Sequence, residues 1–238
     1  MPKKIKTPWG EIIPEVSLFP IVYLLFIYGF VYILPYGRNI IGMSWFDWLR
    51  REDGPLEWIQ FIEYAMSSIL ALLIYVRSKR KKNINSIIWL LIAFLSFVIA
   101  GEEISWGERI TGIGISSIST INVQGETNFH NLPFFHHYLL DPNFEISCIF
   151  LGWLGWRRFK KIKSLPSKDL SLFFLSVALF YFYFDVSWAS TTQQIRNDQE
   201  IFEFLLSTGI FLHCFRNFKK LGFFREFKKK EVGPNLNL

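Results

Sequence analysis

Two short phrases in the middle of the chain carry residue types that can do acid–base or metal chemistry. One runs Gly101-Glu-Glu-Ile-Ser-Trp-Gly-Glu-Arg109 and the other Asn122-Val-Gln-Gly-Glu-Thr-Asn-Phe-His-Asn131. In the second phrase Glu126 and His130 are four positions apart, so a helix would place both side chains on one face. A carboxylate beside an imidazole suits metal ligation or proton transfer, which makes this pair a candidate for either role.

The adjacent acids of the first phrase, Glu102 and Glu103, come at the predicted end of an apolar helix. A carboxylate at a helix C-terminus is disfavoured by the helix dipole, so a cation, a metal or a proton is expected to compensate. An ion pair with Arg109 is the structural alternative. Adjacent helical residues point about 100° apart, so the sequence predicts that one of the two faces a shared interior without saying which.

Three further acids lie within apolar runs. Glu63 is about two turns into one run, on a polar stripe with Glu57 and Gln60, while Asp185 and Glu203 lie in two later runs. Ionisable side chains at membrane depth are costly and mark functional sites. We therefore predict a metal site formed by Glu63, Glu103, Glu126, His130 and Asp185. The predicted catalytic set is Glu102, Glu103, Glu126, His130 and Glu203.

The elements that must position these side chains are long apolar runs. The chain is 51% hydrophobic and 18% aromatic, and its runs are apolar on every face. This pattern predicts an all-α, integral membrane bundle of about six transmembrane helices in one domain, residues 1–230. The predicted helices are about 16–36, 57–77, 84–105, 143–157, 169–190 and 196–216. The long loop 106–142 and a disordered tail, 231–238, complete the chain.

The charges predict the orientation of this bundle. Most of the 26 lysines and arginines lie near the two termini or in the second-to-third and fourth-to-fifth connections. The positive-inside rule then places both termini in the cytoplasm and the loop 106–142 outside. The candidate acids converge on the non-cytoplasmic side. The net charge of +6 is thus explained by topology in a plasma (inner) membrane protein, and we expect no nucleic-acid partner.

The two phrases resemble those of a group of polytopic bacterial membrane proteins that has no established activity. The resemblance covers residues 101–131 and implies that their polar positions belong to one site. Glu102 and Glu103 also resemble the Glu-Glu-x-x-x-Arg motif of CAAX-type intramembrane proteases. Arg109 lies two positions beyond that motif's arginine, and the proteases' site is expected on the cytoplasmic side.

Three function classes follow from these observations. The first is a membrane-embedded hydrolase that uses a divalent metal ion against a lipid or lipid-linked substrate. The second is a small transporter coupled to protons or cations, in which the acids form a relay. The third is a non-catalytic assembly or accessory protein whose polar cluster fixes helix packing. The lipid bilayer is an expected partner in all three.

Overall fold

The computed structural model describes residues 4–7, 10–34, 39–40, 42–51, 53–78, 83–122, 125, 127–129, 132, 141–187 and 193–221. Of these, the side chains at 10–11, 141–142, 184–187 and 193–197 are not described. Apart from one antiparallel ribbon, β1 (Ile5–Thr7) paired with β2 (Gly10–Ile12), the regular elements of the described residues are helices. The predicted all-α class is therefore confirmed.

Three segments form the first part of the chain. After a short helical turn, Pro14–Ser17, α1 (Phe19–Leu24) continues as a π-helix over Leu25–Ile33. The short α2 (Met43–Arg50) exposes Trp45 and Trp48.

Two long helices follow and are joined at their basic end. They are α3 (Pro55–Ser78) and α4 (Ile84–Glu103). Asn83 caps α4 because its side chain accepts a hydrogen bond from the backbone N–H of Ser86, and the Ser86 hydroxyl donates to the Ser78 carbonyl, 3.0 Å.

The segment after α4 is folded back on itself. Ser105, Trp106 and Gly107 all have positive φ angles, 48°, 54° and 95°. The short helices Glu108–Thr111 and Ser116–Ser119 come next, so part of the predicted long loop is ordered.

The last three helical segments complete the bundle. α5 (Asp141–Ile149) passes through a π-helical turn, Phe150–Leu154, into Gly155–Arg158. α6 (Ser171–Ser187) and α7 (Gln193–Lys220) follow.

The helices pack in the order α4, α3, α7, α6, α5, with α1 against α6 and α2 against α3 and α7. A large apolar cluster joins α1, α5, α6 and α7, and includes Phe173, Phe174 and Leu205. A smaller one, formed by Ala71, Ile74, Trp89, Ala93 and Cys214, fills the basic end between α3, α4 and α7. The buried His213 belongs to this end, since its Nε2 lies 2.9 Å from the Ser164 carbonyl oxygen and its ring stacks on Trp89.

Two helical stretches are long and apolar enough to cross a membrane: Met43–Ser78, which contains α3, and α4. Phe19–Ile33 is apolar but shorter. Among the described residues, these two of the six predicted spans meet the criterion of length and hydropathy. α6 has 17 residues, and α7 carries charged residues at both ends of its 28.

Candidate functional site

Arg109 joins the start of α3 to the end of α4. Its Nη1 lies 2.7 Å from Glu57 Oε2 and its Nε lies 2.8 Å from Asp53 Oδ1. Its Nη1 also donates to the Glu103 carbonyl, 2.8 Å. The guanidinium therefore supplies the cation that the C-terminus of α4 needs, while it pairs with acids at the start of the neighbouring helix. The Arg109 and Glu57 side chains are 10% and 9% exposed, so their contact is shielded from bulk solvent, whereas Asp53 is 55% exposed.

The local sequence before α3 holds Glu57 in place. Asp53 has a φ of 63°, and its backbone N–H donates to Glu57 Oε2, 2.5 Å. Pro55 is the first residue of the helix, where its missing N–H costs nothing. Glu57 thus reaches back over the first turn in the manner of a capping box, which turns its carboxylate towards Arg109.

The structure separates the roles of Glu102 and Glu103. Glu102 accepts hydrogen bonds from Trp106 Nε1 and from the Phe129 backbone N–H, the latter at 2.7 Å. The left-handed turn at 105–107 brings the Trp106 ring over Gly101, where a Cβ atom would lie 2.9 Å from the ring. Glu103 instead interacts electrostatically with Glu203, Glu57 and Arg109. Glu103 is therefore the member of the pair that faces the bundle interior.

α7 contributes two further acids to the same interior. Glu200 accepts from Gln60 Nε2, 2.9 Å. Glu203 accepts from the Tyr181 hydroxyl, 2.6 Å, and from Gln199 Nε2, 2.7 Å. Glu200 also interacts electrostatically with Glu203, Glu57 and Glu103. We call the four carboxylates Glu57, Glu103, Glu200 and Glu203 the acidic core.

Gln60 lies at the centre of the contact between α3 and α7. Its side chain is fully buried, at 0% exposure. Its Nε2 contacts the Glu200 carboxylate, while Oε1 has no hydrogen-bond partner among the described residues. An unsatisfied buried acceptor is costly, so this oxygen marks a position where a donor is missing.

Glu63 is engaged deeper in the bundle. Its Oε2 accepts from the Ser207 hydroxyl, 2.6 Å, and both of its oxygens accept from the Thr208 hydroxyl, at 3.1 and 3.0 Å. The polar stripe predicted on α3 therefore has two environments. Glu57 belongs to the acidic core and Gln60 contacts that core, whereas Glu63 binds hydroxyls of α7.

A second buried network was not predicted from the sequence. Arg50 contacts Asp198 and lies 2.7 Å from Asp47 Oδ1. The hydroxyls of Tyr32, 2.6 Å, and Tyr28, 3.3 Å, also donate to Asp198. The spacing of Tyr28 and Tyr32, about one helical turn apart, is the signal that could have shown a polar face on the segment Leu25–Ile33.

The structure brings together Glu103 and Glu203 of the predicted catalytic set and directs Glu102 elsewhere. Glu126, His130 and the Asp185 side chain lie outside the described residues. Within the described part of the chain, no group of three or more His, Cys, Asp or Glu side chains is arranged to hold a metal ion. The predicted metal site therefore stays a prediction, and Glu63 and Glu103 have different partners.

No family model matches the chain, and no curated protein or solved structure matches it either. The functional conclusion accordingly rests on the geometry of the site.

Proposed function

We propose that the chain crosses the membrane six times, with both termini in the cytoplasm. Only 28% of the residues in the most apolar window of each long helix are buried, unlike the core helix of a soluble protein. Large apolar side chains also point outward from the shorter helices, as expected for contact with lipid. They include Val22, Leu25, Phe26, Ile146, Trp153, Leu179 and Phe182.

We further propose that the acidic core is the site of a membrane-embedded hydrolase open to the non-cytoplasmic side. The observation that carries this proposal is the electrostatic interaction between Glu103 and Glu203, two half-buried carboxylates from different helices. In such a pair one carboxyl group stays protonated and can act as the general acid, while the other is ionised and can act as the general base. The substrate is a lipid or a lipid-linked molecule, since the site lies within a bundle whose outer surface is apolar.

In the proposed reaction one carboxylate takes a proton from water as the water oxygen bonds to the electrophilic centre of the substrate. The other carboxyl group gives its proton to the leaving oxygen as the bond to that oxygen breaks. Tyr181 and Gln199 both donate to Glu203, and Arg109 holds the carbonyl end of α4 beside Glu103. These contacts position the two carboxylates.

A divalent metal ion is the second element of the hypothesis. The described residues alone do not form a site for it, and the proposal adds Glu126 and His130 as ligands. The Phe129 N–H binds Glu102, and Asn128 Nδ2 donates to Ser105 Oγ, 3.3 Å. These bonds hold the neighbours of Glu126 and His130 at the end of α4. A bound metal there would activate water.

The apolar packing at the basic end argues against a transport pathway. On the proposed cytoplasmic side of Ser67 and Ser207, α3, α4 and α7 pack together through Ala71, Ile74 and their neighbours. A proton or cation relay requires polar groups through both leaflets. Among the described residues the acidic core lies in one half, and buried polar groups of the other half, such as His213 and Ser164, pair with each other, which favours a site over a passage.

The test is hydrolysis of native lipids by the purified full-length chain. Detergent extracts of wild type, Glu103→Gln and Glu203→Gln would be incubated with a total bacterial lipid extract, and the products identified by mass spectrometry. We expect wild type to release a hydrolysis product and each variant to be slowed about 10²–10⁴-fold. Glu15→Gln, an exposed acid at the opposite end, is the control.

Absence of any product from well-folded wild type, or unchanged rates in both variants, would overturn the hydrolase proposal. Elemental analysis of the same samples and of His130→Ala tests whether the proposed hydrolase depends on a metal ion. A stoichiometric metal that is lost in His130→Ala supports it, and a metal-free active enzyme contradicts it.

A further inference from the structure

The acidic core has an excess of acceptors. Glu57, Gln60 and Glu200 are buried and Glu103 and Glu203 half-buried, and the interacting cation named among the described residues is Arg109. Interior carboxylates require compensation by positive charge or by hydrogen-bond donors. The described partners of the core supply donors to Glu200 and Glu203 but none to Gln60 Oε1.

The orientation of the Gln60 amide follows from Glu200. Nε2 lies 2.9 Å from Glu200 Oε2 and 3.4 Å from the Glu200 backbone carbonyl oxygen, which can only accept, so the amide nitrogen faces Glu200. Oε1, on the same amide carbon, then lies in the same buried interior. A ligand that fills this position must bring an N–H or O–H donor and is favoured if it also brings positive charge.

We propose that the acidic core binds a primary ammonium group of the substrate, with Gln60 Oε1 as one of its three acceptors. This inference rests on the proposed hydrolase function and names the substrate class. A primary ammonium carries three N–H donors and a full positive charge, which matches an amide oxygen among carboxylates. A quaternary ammonium group has no N–H and leaves Gln60 unsatisfied.

The arrangement of the acids favours an ammonium ion over a metal ion at this place. The four carboxylates come from three helices, α3, α4 and α7, and the described residues do not converge on a single metal position. Hydrogen bonds to an ammonium are longer than metal–oxygen bonds and accept wider spacing. The ammonium group is carried either by a lipid headgroup or by a free amine.

Binding is tested separately from turnover on the purified full-length chain. The probes are phosphatidylethanolamine, its trimethylated counterpart phosphatidylcholine, and free ethanolamine, with binding measured by native mass spectrometry and by thermal stabilisation. We expect wild type to bind phosphatidylethanolamine at least about tenfold more tightly than phosphatidylcholine, because a hydrogen bond to a buried acceptor is worth about that factor. Stabilisation by free ethanolamine as well would identify the amine alone as sufficient.

The variant Gln60→Met keeps the shape of the side chain and removes its acceptor. We expect it to lose the preference for phosphatidylethanolamine while binding phosphatidylcholine as wild type does. Ser67→Ala, a buried change on the same helix, is the control for general damage.

Equal binding of the two lipids by wild type would overturn the inference, and so would an unchanged preference in Gln60→Met, since water alone would then satisfy Oε1. If Gln60→Met fails to fold, Glu200→Gln must weaken the preference instead. Amine preference without hydrolysis would leave this site standing and reject the enzyme, whereas hydrolysis without amine preference would do the reverse.

Discussion

At the scale of single residues, the buried pair of Arg50 and Asp198 shows how this protein handles charge in its interior. Arg50 is 1% exposed and lies over the ring of Phe46, with 5.0 Å between the guanidinium carbon and the ring centroid. Asp198 receives donors from Arg50, Tyr32 and Tyr28. The network connects the π-helix Leu25–Ile33, α2 and α7, so loss of one member leaves buried charge without compensation.

Arg50→Ala is therefore expected to destabilise the protein by about 3–5 kcal/mol, because Asp198 remains buried without its cation. Arg51→Ala, at the exposed neighbouring position, should change stability little. Thermal unfolding of both variants in detergent measures the difference. Equal midpoints for the two variants would show that the pair does not hold the helices together.

At the scale of elements, the helices approach one another through small residues. A Cβ atom on Gly209 of α7 would lie 2.8 Å from the Cβ of Phe173 and 3.3 Å from the ring of Phe174. Close approach at glycine is typical of helices packed within membranes, where hydrophobicity does not drive association between them. The contact between α6 and α7 also supports Tyr181, which donates to Glu203.

Gly209→Ala is expected to force α6 and α7 apart and to lower stability by about 1–3 kcal/mol. Gly29→Ala is the matched control, because a Cβ there meets no atom within 4 Å. The shift of Tyr181 should also slow turnover if Glu203 is catalytic. Identical unfolding curves for the two variants would contradict the close approach at Gly209.

At the scale of the whole molecule, the two ends of the bundle differ in chemistry. The acidic core and the Arg50 network lie at one end, where α3 begins and α4 ends. The other end joins Arg216 to Asp169, 3.8 Å, and Asp169 to the backbone N–H of Ile13, 3.3 Å. This end carries the described connection from Arg157 to Lys168 and the basic last turns of α3 and α7. The polarity agrees with a membrane orientation that keeps lysine and arginine in the cytoplasm.

The orientation is tested by labelling single cysteines with a membrane-impermeant maleimide, in a background with Cys148 and Cys214 replaced by alanine. Ile113→Cys, at a position 80% exposed, should react in sealed right-side-out vesicles. Lys161→Cys should react only after the vesicles are opened, because the proposed topology places its connection in the cytoplasm. Labelling of Lys161→Cys in sealed vesicles would reject the proposed topology.

Sequence patterns by themselves determined the helical class and indicated two of the four acids of the acidic core as candidates. A long hydrophobic run predicts a helix because its apolar surface must be buried in the protein or placed in lipid. An acid within such a run stands out because its charge is costly to bury. Glu103 and Glu203 were recognised on this basis. The two long apolar helices also appear close to their predicted bounds, at Pro55–Ser78 and Ile84–Glu103.

Only the tertiary structure decided which polar groups meet. Glu103 rather than Glu102 faces inward because the left-handed turn at 105–107 gives Glu102 a local donor in Trp106. Glu63 binds hydroxyls of α7, and Gln60 meets Glu200, through helix packing that joins residues far apart in the chain. Spacing along one helix fixes a shared face, whereas the partner of that face depends on the rotation and depth of the neighbouring helix.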